Sequence, residues 1–131
     1  MLTLDRLAAL DLTVWLRSGE ETARRLNRTQ SAISRSIHRA LDLFGLELLL
    51  VEQEWHVQGP SERLRLLAME RHLHQHARWA GQAPLRIEGT YWSGPLLLNP
   101  EPAGWSGGRN VGVGIERPLR LLRQRVIDAW L

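Results

Sequence analysis

The chain has 131 residues, 44% of them hydrophobic, and a formal net charge of +3, which bounds it to one domain or a small domain with an appendage and argues against disorder. Its 17 basic residues are all arginine, whose fixed charge and forked geometry suit phosphate or carboxylate, so a nucleic-acid partner is permitted but not required. The absence of cysteine excludes disulfides and thiolate metal or redox chemistry; no apolar run reaches membrane-spanning length, and the opening "MLTLDRLAALDLTVWLRSG", with Asp5 and Asp11, does not read as a secretory leader, so a cytoplasmic protein is expected.

Residues 4–17 read as a first helix, with Leu4, Leu7, Ala8, Val14 and Trp15 for its apolar side and Gly19 as its stop. A short second helix over 20–26 turns Ala23 and Leu26 inward. "NRT" is a tight connection, and Thr29 is a suitable N-cap for a third helix, 29–44, because its hydroxyl can accept an unpaired backbone N–H. There Ile33, Ile37, Leu41 and Phe44 form one stripe. Thr29, Gln30, Ser31, Ser34, Arg35, His38 and Arg39 lie largely away from it, and Gly45 ends the helix. "LELLLVEQEWHVQ" reads as two short strands joined by a polar turn.

A long helix is expected from 60 to 80, between Pro60 and Gly81. Leu66, Met69, Leu73, Ala77 and Ala80 repeat along it at three-four spacing, a seam suited to another helix. Beyond residue 82, "LRIEGTYWSGPLLL" predicts a strand or two, "NPEPAGWSGG" a loop, and "RNVGVGIE" a further strand. "RPLRLLRQRVIDAWL" predicts an amphipathic helix with Leu119, Leu122, Val126 and Trp130 on one side.

Charge is segregated along the chain. Residues 17–40 hold Arg17, Arg24, Arg25, Arg28, Arg35 and Arg39 against Glu20 and Glu21, whereas residues 41–60 hold Asp42, Glu47, Glu52 and Glu54 and no arginine. Two short helices in tight succession followed by a hairpin outline a winged helix-turn-helix. Such a helix enters the DNA major groove, where its first turns meet base edges. Gln30 suits bidentate contact with adenine and Arg35 with guanine; Ser31 and Ser34 are short enough for close approach, and Thr29 with the free N–H groups beside it suits a phosphate.

The stretch "TARRLNRTQSAISRSIHRALDLFG" resembles the DNA-binding segment of LysR-type transcription regulators, in which an "AAxxL" helix precedes "xSQxAxSxxIxxLExxLG", a wing and a long linker helix. Thr22, Ala23 and Leu26 match the first part; Gln30, Ser31, Ala32, Ser34, Ile37, Leu41 and Gly45 match the second. Over roughly residues 4–80, the resemblance implies a regulator that binds a dyad operator in double-stranded DNA as a homodimer, joined through Leu66, Met69, Leu73, Ala77 and Ala80. It places Thr29, Gln30, Ser31, Ser34 and Arg35 on DNA; His38, Arg39, Arg28 and His56 are further candidate contacts.

The chain departs from that pattern in three places. The link before "TARRL" is about two residues short. The hairpin carries Glu52 and Glu54 where the family has basic residues, so it is expected to repel phosphate and add little affinity, with His56 its only cation. About fifty residues follow the linker helix where the family has a sensor of nearly two hundred. "APLRIEGTYWSG" and "RVIDAWL" resemble the first strand and the closing helix of that sensor, which implies a remnant without the usual effector pocket. The expected fold is therefore mainly α: a winged helix-turn-helix over 1–59, a linker and dimerisation helix over 60–81, and a small α+β segment over 82–131.

His72, His74 and His76 lack a neighbouring carboxylate or thiolate and read as solvated helix residues, so no metal is expected. "GGRNVGVG" lacks the spacing of a nucleotide loop, and no catalytic triad context is present. No cofactor, catalytic residue or membrane partner is expected, and a small-molecule effector would lack its usual pocket. Trp15 and Trp55 read as core, and Trp92, Trp105 and Trp130 as holding the C-terminal segment together. The alternative is a protein-interaction module that pairs with a related full-length regulator without binding DNA, favoured by the acidic turn and the exposed seam.

Overall fold

Residues Leu4–Leu16 form α1, and nearly every side chain from Leu7 onward is buried, including Leu10, Trp15 and Leu16. A helix buried nearly all round sits in the centre of a core, and α1, which buries Asp11 and Thr13 with its apolar residues, packs against both α2 (Gly19–Leu26) and α3 (Gln30–Phe44). The computed structural model describes residues 4–112 and 114–131, and for Leu4 the backbone alone. Burying Leu10, Trp15 or Ile33 contributes about 1.5–3 kcal/mol each. Thr13 satisfies its hydroxyl inside this core by donating to the Ala9 carbonyl at 2.8 Å, and its oxygen lies 3.1 Å from the Thr22 hydroxyl, which donates to the Ser18 carbonyl.

Local chemistry fixes each helix end. The Ser18 hydroxyl accepts from the Glu21 N–H, and Asn27 closes α2 at φ 53°. Thr29 caps α3 by accepting from the Ala32 N–H at 3.1 Å. Gly45, at φ 66°, ends it with its own N–H aimed at the Asp42 and Leu41 carbonyls, a left-handed cap that glycine adopts without strain. As the spacing predicts, Ile33, Ile37, Leu41 and Phe44 are buried, joined by Ser36 and Ala40.

Strands β1 (Glu47–Val51) and β2 (Glu54–Gln58) pair antiparallel, Leu49 opposite His56 and Val51 opposite Glu54. Glu52 and Gln53 form the two-residue turn, both at positive φ (51° and 66°), the mirror-image geometry that matches strand twist.

The Pro60 carbonyl accepts from Arg63 and Leu64 at the start of α4 (Ser61–Trp79). The chain has two compact units, Glu70 closing the first and Arg71 opening the second. Leu67, Arg71, His74 and Arg78 are buried on α4, while Leu66, Met69 and Leu73 stand 45%, 68% and 48% exposed. Among the described residues no helix is long and apolar enough to cross a membrane.

In the second unit β3 (Leu85–Glu88) is flanked by β4 (Trp105–Gly107) and β5 (Ala129–Trp130), both parallel to it. Asp128 organises this unit. Its carboxylate, with no exposed side-chain surface, accepts two hydrogen bonds from Arg78 (2.7 and 2.8 Å), one from the Arg86 N–H (2.9 Å) and one from Gln75 (3.0 Å). Burial alone pushes the Asp128 pKa up; the Arg78 guanidinium and the other donors outweigh it, and the net direction is down. Glu88 is buried and accepts from the Asn110 N–H; a side chain at Gly108 would run into the Glu88 carboxylate.

Several expectations for residues 82–131 are corrected here. The "SGPLL" stretch is a short helix, α5 (Ser93–Leu97), because Thr90 and Ser93 exchange hydroxyl-to-backbone hydrogen bonds that start a turn rather than extend a strand. The expected loop contains β4. The last helix, α6, covers only Glu116–Arg123: Arg125 takes φ 60°, and the Asp128 N–H donates to the Arg86 carbonyl, converting the closing segment into β5. Val113, within the stretch expected as a strand, lies outside the described residues; Gly112 makes an isolated bridge to Thr90. Trp92 is 60% exposed rather than holding the unit together. The architecture is mixed α/β, 53% helical with six helices among the described residues.

Candidate nucleic-acid interface

Thr29, Gln30, Ser31, Ser34, Arg35, His38 and Arg39 are all exposed, and on α3 they lie opposite the buried Ile33, Ile37, Ala40 and Leu41. Burial of one stripe forces this outcome, since residues three and four apart share a helix face. Thr29 shapes the entry: its hydroxyl takes the Ala32 N–H and lies 3.2 Å from the Ser31 hydroxyl, while its carbonyl takes the Ile33 N–H. The Gln30 and Ser31 N–H groups come too early in the helix to find an acceptor within it. His38 donates Nδ1–H to the Ser34 carbonyl at 2.8 Å, which orients the ring. Thr29→Ala should cost about 1 kcal/mol of stability, the usual worth of a hydroxyl cap, read as a lower urea midpoint with an unchanged slope.

The basic block thins out once partners are counted. Arg17 donates to Glu54 at 3.1 Å, Arg28 to Asp5 at 2.9 Å, and Arg24 and Arg25 both to Glu21. The hydrogen bond from Arg24 and then that from Arg25 lower the Glu21 pKa to about 2. Arg25 also stacks over Trp15, 5.7 Å from the ring centroid. Among the described residues, Arg35 and Arg39 are the two of these six arginines with no carboxylate partner. Both lie on the exposed face of α3. Within the basic block of residues 17–40, the unpaired guanidinium charge therefore stands among short hydroxyl and amide side chains, a set able to meet base edges and phosphate together.

Two expectations about charge change. Arg28, though exposed, is tied to Asp5, so its charge is partly spent inside the protein. The hairpin is less acidic than its sequence implies: the side chain of Glu54 is only 16% exposed and holds Arg17, leaving Glu52 at the turn. His56 is half-buried on β2 and is not the only cation against the hairpin. Arg17 and Glu54 are separated by 37 positions in the chain, and no local pattern links them.

Across 99% of its length the chain matches a full-length OxyR variant from Pseudomonas aeruginosa, with a TM-score of 0.54 at 18% identity. The fold is LysR-like. Lower scores are found for ArgP from Mycobacterium tuberculosis (TM-score 0.37, 25% identity, 97% of this chain) and for CrgA, a LysR-type transcriptional regulator from Neisseria meningitidis (TM-score 0.38, 17% identity, 98% of this chain). The LysR-like chain spans about half the length of these structures: 50% of the OxyR chain, 51% of ArgP and 48% of CrgA. No protein-family model and no curated protein matches it.

Proposed function

We propose that the protein is a sequence-specific DNA-binding transcription regulator rather than an enzyme, acting in the cytoplasm as a homodimer. In this reading residues 1–59 form a winged helix-turn-helix, 60–81 a linker and dimerisation helix, and 82–131 a shortened α+β remnant of a sensor. The observation that carries the proposal is the α3 face, where Arg35 and Arg39 lack carboxylate partners among the described residues and stand beside exposed Gln30, Ser31 and Ser34. Placed in a major groove, that face brings Gln30 and Arg35 within the chemistry of adenine and guanine edges. The LysR-like fold supports the same orientation, and the pairing of Glu54 with Arg17 removes one of the charges that would oppose phosphate.

Dimerisation is proposed through α4. Leu66, Met69 and Leu73 recur on one helix face and are exposed; a second copy would remove them from water. Two α3 helices related by a two-fold axis then read half-sites about 34–36 Å apart, or multiples of that distance.

Binding is tested by fluorescence anisotropy on duplexes recovered by selection from random DNA, against scrambled duplexes, over a salt series. The expected result is dyad preference and an affinity that falls steeply with salt. Gln30→Ala and Arg35→Ala should each cost about 1–3 kcal/mol of specific binding while leaving scrambled DNA nearly unaffected. Parent-like affinity in both variants would show that another surface does the reading.

A further inference from the structure

The three closely spaced histidines of α4 separate in the structure. His74 is buried, whereas His72 and His76 are exposed, with ring centroids 4.8 Å apart and Nε2 atoms 3.0 Å apart. Among the described residues no group of three or more His, Cys, Asp or Glu is arranged to hold a metal ion, so the pair stands as two ligands on one helix face. What the spacing in sequence leaves open, and the structure supplies, is convergence through the same ring nitrogen.

That distance is informative. With metal–imidazole bonds of about 2.0–2.1 Å, two nitrogens 3.0 Å apart subtend roughly 95° at a shared ion. This is close to the cis angle of a square-planar or octahedral centre, so the spacing suits cations that prefer tetragonal fields. We propose that His72 and His76 form a two-imidazole chelate for Cu(II) or Ni(II), with water completing the coordination sphere. Without metal, one ring donates Nε2–H to the other. Binding moves that hydrogen to Nδ1, so two neutral rings present lone pairs and no net proton is released. The helix backbone holds both ligands in place, and within a single chain their exposure leaves the remaining positions open to solvent. Arg125, which donates to Gln75 at 2.8 Å and whose charge acts on His72, opposes a cation and keeps the site from being a tight one.

The test titrates the untagged full chain with Cu(II) and Ni(II) by calorimetry, and follows Cu(II) by electron paramagnetic resonance. Losing an outer partner of a metal ligand already costs about 10–100-fold in affinity, so H72N and H76N should each weaken binding at least tenfold. The parent should show coupling to two ring nitrogens that the single variants lose. Both positions are exposed, and unchanged far-UV circular dichroism confirms that the variants are folded. Binding equally tight in the parent and in the H72N/H76N double variant, or absent from both, overturns the proposal.

Discussion

Replacing Arg78 with Met should lower the stability of the second compact unit by about 3–5 kcal/mol, the range for removing one partner of a buried ion pair. The side chains of Arg78 and Asp128 retain only 3% and 0% of their exposure, so water cannot take over for the missing guanidinium. The Arg86 N–H and Gln75 would remain on the carboxylate, but neither carries charge there. The variant also loses the bond from Arg78 to the Arg125 carbonyl, which helps fix the turn after α6. The pH dependence gives a second readout. In the parent, Asp128 is held below its ordinary pKa despite burial, so it contributes stability above the unfolded value and loses that contribution as pH falls through the folded one. Without Arg78, burial prevails and the shift reverses, so the deficit of the variant is greatest at neutral pH and shrinks in acid. Urea unfolding followed by amide exchange at residues 85–88, at neutral and acidic pH, measures both quantities. A deficit that stayed constant with pH would remove Asp128 from the account.

The second large effect concerns assembly. Leu66→Asp combined with Leu73→Asp should convert the proposed dimer to a monomer in sedimentation and lower affinity for a dyad by about 10²–10⁴-fold, because the second half-site is no longer held at high effective concentration. Affinity for an isolated half-site should scarcely change. Leu66 and Leu73 are 45% and 48% exposed within one chain, so charging them costs the single-chain fold little, and circular dichroism should be preserved. Should the doubly charged protein sediment like the parent, some surface other than this seam joins the copies, or none does.

The first sixty residues were far more legible in the sequence than the last fifty, for a physical reason. Helices α1 to α3 are governed by local rules: Thr29 and Gly45 mark ends, and Ile33, Ile37, Leu41 and Phe44 mark a buried side, all within a few turns, although Gly19, read as the stop of the first helix, instead opens α2 behind the Ser18 cap. The polar face of α3 followed by elimination. In the second unit the deciding contacts are long-range. Asp128 meets Arg78 across 50 positions and Arg86 across 42, and parallel strands of two to four residues are too short to show a period. The same limit hid the Arg17–Glu54 pair, which changes the charge of the hairpin without any signature near either residue. On α4 the apolar repeat was legible, but the burial of Arg71, His74 and Arg78 was not: charged and imidazole side chains at those positions read as solvated until Asp128 is placed beside Arg78.

The hairpin has one more implication, for the behaviour of the protein in concentrated solution. Among the described residues β1 pairs only with β2, and Leu49, Leu50 and Val51 on it are 39%, 57% and 46% exposed. An open strand edge lined with aliphatic side chains is a template for adding strands from other molecules, and here only Glu47 and Glu52 interrupt it with charge. Mutual repulsion between those carboxylates in neighbouring molecules therefore opposes strand addition at this edge. High ionic strength shortens the reach of that repulsion to a few ångströms, so concentrated salt should invite sheet-to-sheet self-association.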